Sequence, residues 1–145
     1  MDSLAAFAAL QRLYADFLSD YADADHPGWL ERLLQGGPTK SERRTITDFY
    51  SAVEQTVQEL MAGMTAGDGP LAEEVIRFMI IEAEGADSST QLTFAATQAL
   101  AIPLLDLISP AAAAQLLTDY QTRYPKKRML TPRQEDLLKA LKSHS

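Results

Sequence analysis

The sequence predicts an all-α protein, an antiparallel helical bundle of five or more helices in a single domain. Three observations lead there. Apolar residues recur at three- and four-residue steps along most of the chain. No segment sustains the period-2 alternation of β-branched and aromatic residues that marks strands. Where the periodic stretches begin, a Ser or Thr stands three positions before Glu or Gln, or directly before proline, as helix starts require. The 145 residues fit one domain and can bury about 70% of the unfolded surface.

The first helix is expected over residues 3–21, with Leu4, Phe7, Leu10, Tyr14, Phe17, Leu18 and Tyr21 recurring on one face. Asp20, Asp23 and Asp25 then crowd together, and negative charge is unfavourable at a helix C-terminus. His26-Pro27-Gly28 predicts a turn, and residues 29–34 a short helix stopped by Gly36-Gly37-Pro38. Thr39 and Glu42 have capping-box spacing for a helix running to about Met64, whose stripe is Ile46, Phe49, Tyr50, Val53, Val57, Leu60, Met61 and Met64.

Pro70 suits the first turn of a helix ending near Gly85, with Val75, Phe78, Met79 and Ile81 inward and a Glu73–Arg77 pair outside. Ser88 and Gln91 form the next box. The helix from there to Ile108 is apolar on most faces and kinked at Pro103. It is expected to be the most buried of all, so that Leu100→Asp unfolds the protein. Ser109-Pro110 starts a helix with Ala113, Leu116, Leu117, Tyr120 and Tyr124 inward, stopped by Pro125. Thr131-Pro132 with Gln134 starts the last one, lined by Leu137, Leu138 and Leu141.

The inventory of chemistry is thin. With no cysteine, thiolate nucleophiles and cysteine-ligated metals are excluded, and a reducing, cytoplasmic setting is favoured. Met1-Asp2-Ser3-Leu4 lacks the positive start of a secretory signal, and no apolar run reaches membrane-spanning length. The two histidines are His26, beside Asp23 and Asp25, and His144, at a position where chains fray. Asp23-Ala24-Asp25 lacks the remaining ligands of a calcium loop. Glu73-Glu74 and Glu82-x-Glu84 read as solvated faces. Asp106 stands out because its helix is otherwise apolar. Gly63, Gly67 and Gly69 do not have phosphate-loop spacing. No catalytic residue, cofactor or metal is assigned; an enzyme would have to be built on His26 or Asp106.

Charge is placed unevenly. The net charge is −7. Residues 123–145 nevertheless hold seven basic residues against Glu135 and Asp136, whereas residues 1–122 hold six basic residues against 18 acids. We therefore expect an acidic helical body, 1–122, and a basic C-terminal segment, 123–145, with a short helix packed on the same domain. Its candidate interaction residues are Arg123, Lys126, Lys127, Arg128, Arg133, Leu137, Leu138 and Leu141. Leu130-Thr131-Pro132-Arg133-Gln134-Glu135-Asp136-Leu137-Leu138 resembles the opening of a LuxR-type helix-turn-helix domain. The resemblance covers nine residues and includes neither the turn nor the recognition helix, so DNA binding is not carried over from it.

The function class that follows is a non-catalytic helical protein–protein interaction module: an adaptor, a regulator or a small subunit of a larger assembly. The expected partner is acidic protein surface, on its own body or on a partner, including a second copy in a homo-oligomer. Met61, Met64, Phe78 and Met79 offer an adaptable apolar surface. A nucleoprotein-associated subunit using residues 123–145 on nucleic acid ranks behind, because the acidic body repels a duplex.

Overall fold

The computed structural model of the chain describes residues 2–23, 40–125 and 129–145. Every regular element among them is helical. Six α-helices follow in order: α1 Ser3–Asp23, α2 Lys40–Gly63, α3 Gly69–Arg77, α4 Ser88–Thr97, α5 Pro110–Arg123 and α6 Pro132–His144. A 3-10 turn, Ala66–Asp68, precedes α3; a π turn, Phe78–Glu82, prolongs it; a 3-10 segment, Gln98–Leu107, prolongs α4. No helix among the described residues is long and apolar enough to cross a membrane. The expected turn at His26 and the short helix at 29–34 lie outside the described residues.

All six helices contribute to one hydrophobic cluster. On α1 the buried positions are Ala6, Leu10, Tyr14, Phe17 and Tyr21, one stripe at helical spacing; Leu4, expected inside, is 70% exposed. Phe17 stacks on Phe49 of α2 at 4.4 Å between ring centroids. Tyr14 meets Phe49, Phe78 and Phe94 edge-on or tilted at 4.9–5.0 Å, within the range where aromatic pairs add to simple burial. The Tyr14 hydroxyl donates to Thr97 Oγ1 at 2.9 Å, which in turn donates to the Phe94 carbonyl at 2.8 Å. Burial pushes the Tyr14 hydroxyl well above its ordinary range, so it stays a neutral donor.

Local detail departs from the sequence expectations at four places. The α3 face shifts: Ile76 and Ile80 are fully buried beside Val75 and Met79, while Phe78 and Ile81 are only partly so. Ala72, Val75, Ile76, Met79, Ile80 and Ala83 form one stripe at three- and four-residue steps, carried through the π turn that the Ala83 amide closes on the Phe78 carbonyl at 2.9 Å. Arg77 pairs not with Glu73 but with Asp119 of α5, at 2.8 Å, and its guanidinium holds the Asp119 carboxyl below the usual range. The cap of α4 sits one residue earlier than expected, on Asp87, in a box with Thr90. Gln91 instead accepts from the Gly85 amide at 2.7 Å. A Cβ on Gly85 would lie 2.3 Å from the Gln91 nitrogen, so this close approach requires glycine.

The fourth departure is the largest. The expected single kinked helix to Ile108 becomes a 3-10 segment from Gln98 on. Proline cannot donate, and its ring crowds the carbonyl four residues back; a tighter turn around Pro103 absorbs both demands. Side chains three apart then eclipse. Gln98, Ala101 and Leu104 line the inner face, while Pro103 and Asp106 are exposed and Leu100 is half-buried. Leu92 is 61% exposed. This stretch is therefore buried on one face only, and Leu100 is not its anchor; Leu104 is.

The two downstream helix starts form as expected. Ser109 accepts from the Ala112 amide at 3.1 Å, with Pro110 in the first turn. Thr131 and Gln134 close a capping box at 3.1 and 3.2 Å. Ser109→Ala should remove one cap and cost about 1 kcal/mol. Urea denaturation checks this, as a lowered midpoint with an unchanged slope.

Candidate interaction site

The basic C-terminal segment is tied to the rest of the chain through Arg123, Arg133, Leu137, Leu138 and Leu141. Lys126, Lys127 and Arg128 lie outside the described residues. Arg123, in the last turn of α5, donates to the carbonyls of Ile81 and Ala83, the latter at 2.8 Å, and lies 5.2 Å from the Tyr124 ring centroid. A cation there meets carbonyls that the ending helix leaves unpaired. Arg133 donates to the Tyr50 hydroxyl on α2 and sits 4.9 Å from its ring centroid. Leu137 and Leu141 are 0% exposed, and Leu138 packs partly buried against the same cluster. A partner could take this leucine face only by unpacking α6.

A buried polar knot adds to that attachment. The Tyr120 hydroxyl donates to Gln98 Oε1 at 2.6 Å, Gln134 Nε2 donates to the same oxygen at 3.3 Å, and Gln98 Nε2 donates to the Tyr124 hydroxyl at 3.0 Å. Burial pushes the Tyr120 hydroxyl upward and keeps it protonated. Gln134 thus serves twice, in the α6 cap and in the core. Capping-box spacing predicts only the cap; the remaining signal in the sequence is a glutamine at 98 inside an apolar run.

His26 lies outside the described residues. Asp106 is paired with His144, whose Nε2 lies 2.9 Å away, and His144 is held in the last turn of α6, not frayed. Glu42, expected as a cap partner, is 0% exposed and accepts from the Tyr21 hydroxyl at 2.7 Å. No group of three or more metal-ligating side chains occurs among the described residues. The proposed methionine surface is corrected: Met64 and Met79 are buried and Phe78 half-buried, all in the core, leaving only Met61 exposed.

An open seam runs between α1 and α2. Two adjoining hollows of about 310 and 250 Å³ share Leu13, Asp16 and Ala52. Ala9, Leu13, Ala52 and Thr56 form a half-buried floor, with Phe17 and Phe49 beneath. Asp16, Asp20, Asp48 and Glu59 stand along the rims, opposed by Arg12. From Ala9 to Asp20 the groove follows α1 for about 16 Å, or three helical turns. The sequence did not reveal it, because its two walls lie far apart in the chain.

Fold and surface together define an all-helical protein with an acid-rimmed groove between its first two long helices. No family model, curated protein or solved structure matches this chain.

Proposed function

We propose that this chain is a non-catalytic protein–protein interaction module, an adaptor, regulator or small subunit, and that the α1–α2 groove is its docking surface. The observation that carries the reading is the groove itself: an apolar floor between rims with a surplus of carboxylates. That combination fits a cationic amphipathic helix of a protein partner, whose apolar face enters the groove while its lysines or arginines meet the rims. The same charge disfavours nucleic acid. In this reading the C-terminal segment is an intramolecular element: its leucines and both described arginines already have partners within the chain.

The test is an NMR titration with a synthetic amphipathic Lys/Leu helix. Shifts should concentrate on residues 9–20 and 45–59. The double variant Asp16→Lys/Asp48→Lys should weaken binding at least about ten-fold, a loss of about 1.4 kcal/mol. The control Glu74→Lys/Glu84→Lys changes total charge equally on exposed α3-side positions and should leave affinity within about two-fold at 0.15 M salt, where distant exposed charges are screened. Equal losses in the two variants would show nonspecific attraction to an acidic surface and end the groove reading. Tail-dependent, steeply salt-sensitive binding of duplex DNA would replace it with the nucleoprotein reading.

A further inference from the structure

His144 occupies the last turn of α6, and Asp106 stands on the outward face of the 3-10 segment, 38 positions earlier. His144 Nε2 lies 2.9 Å from Asp106 Oδ1, and His144 Nδ1 lies 2.8 Å from the Ala140 carbonyl oxygen. A carboxylate and a carbonyl can only accept. Both ring nitrogens must therefore donate, and only the doubly protonated imidazole can do that. Neutral imidazole keeps one bond and loses the other.

We propose that His144 and Asp106 form a proton-operated latch that fastens the C-terminal end of α6 to the 3-10 segment, held by both bonds and the ion pair while the imidazole carries both protons and loosened, with one bond and the charge gone, once it has lost one. The surroundings hold the second proton in place. The hydrogen bond to Asp106, then the bond to the Ala140 carbonyl, raise the imidazole above its ordinary range, against a small opposing effect of burial. A helix C-terminus favours the cation as well.

Among the described residues, the other elements packed on α6 do not compete for the pair. α2 meets α6 through Tyr50 and Arg133, near the opposite end of α6. α4 carries no charged residue. On α5, Asp119 is paired with Arg77, and Arg123 is engaged by the Ile81 and Ala83 carbonyls. Asp106 is the one charged residue of the 3-10 segment. On α6 itself, Lys139 and Lys142 are exposed, and Arg133, Glu135 and Asp136 lie toward the opposite end.

The sign follows from linkage. The folded imidazole binds its proton more tightly than the unfolded one. The latch's contribution is therefore complete below the ordinary histidine value of about 6.5 and is lost as pH rises through the higher folded value. Leu137, Leu141 and Gln134 still hold the body of α6 when the latch loosens, so the motion is confined to the last turn.

NMR titration of the His144 ring proton, assigned by its absence in His144→Gln, tests the latch in the full chain. The midpoint should lie above 6.5 and fall toward it in Asp106→Asn. Amide exchange in residues 141–145, corrected for its intrinsic pH dependence, should become about two- to five-fold faster across that midpoint, and the step should vanish in Asp106→Asn and His144→Gln. Both variants lie at the surface, and far-ultraviolet circular dichroism confirms that they keep the fold. A His144 midpoint that Asp106→Asn does not lower, or last-turn exchange with no such step, overturns the latch and leaves the groove reading untouched.

Discussion

Leu104→Asp is expected to abolish folding at room temperature. Leu104 is 0% exposed, on the inner face of the 3-10 segment, which packs against α3 and α6. Losing a buried leucine of this kind costs about 2–5 kcal/mol. Placing an ionised carboxylate in the same dry site adds several more. Domains of this size are stable by only about 5–15 kcal/mol, so the sum exhausts most or all of it. Leu100→Asp changes a half-buried position whose carboxylate can reach water, and should leave a folded protein with a reduced midpoint. Circular dichroism and urea denaturation of the two variants side by side decide the matter. Equal damage would mean that the 3-10 face is not oriented as described.

Leu137→Ala should cost about 2–5 kcal/mol, and Leu141→Ala a similar amount, because both side chains are fully buried in the cluster shared with the other helices. Lys139→Ala and Lys142→Ala, on the exposed side of the same helix, should stay within about 0.5 kcal/mol. This contrast separates two roles for α6. A helix held ready for an external partner would show little stability change at its leucines and a large binding change. A helix that completes its own core shows the reverse. Denaturation monitored by circular dichroism and by tyrosine fluorescence should give coincident transitions for the leucine variants if α6 unfolds with the rest. A cost below about 0.5 kcal/mol at Leu137 would detach α6 from the core and return its leucines to the list of free docking residues.

The two described arginines of the basic segment show why charge counting is a partial guide. Arg123 and Arg133 were read as net charge against an acidic body. Arg123 instead caps carbonyls at the end of the π turn, and Arg133 lies over the Tyr50 ring. Neither uses a carboxylate among its described partners. Helix-end carbonyls and aromatic faces attract cations too, but they leave no mark in a tally of acids and bases. His144 failed in the opposite direction. Its place near the end of the chain suggested fraying, yet the helix carries it into reach of Asp106, a contact that bridges 38 positions.

Local codes were readable at two helix starts and along the α2 stripe, though not at α4, where Asp87 and Thr90 form the box in place of Ser88 and Gln91. Ser109-Pro110 and Thr131-Pro132-Gln134 predicted their caps because donor and acceptor lie within three residues of each other. The α2 stripe from Phe49 to Leu60 predicted its buried face because one helix period determines it. By itself, the sequence determined that the chain is helical, roughly where its helices begin, and which side of most of them is apolar. Tertiary structure alone decided the rest. It buried one face of the 3-10 segment around Pro103, drew Gln98, Tyr120, Tyr124 and Gln134 into one knot, paired Asp106 with His144, and set the acids of α1 and α2 along a common groove. The reason is physical. Helix periodicity and capping are interactions among near neighbours in the chain, whereas each of these arrangements joins elements whose relative positions follow only from how their apolar faces pack.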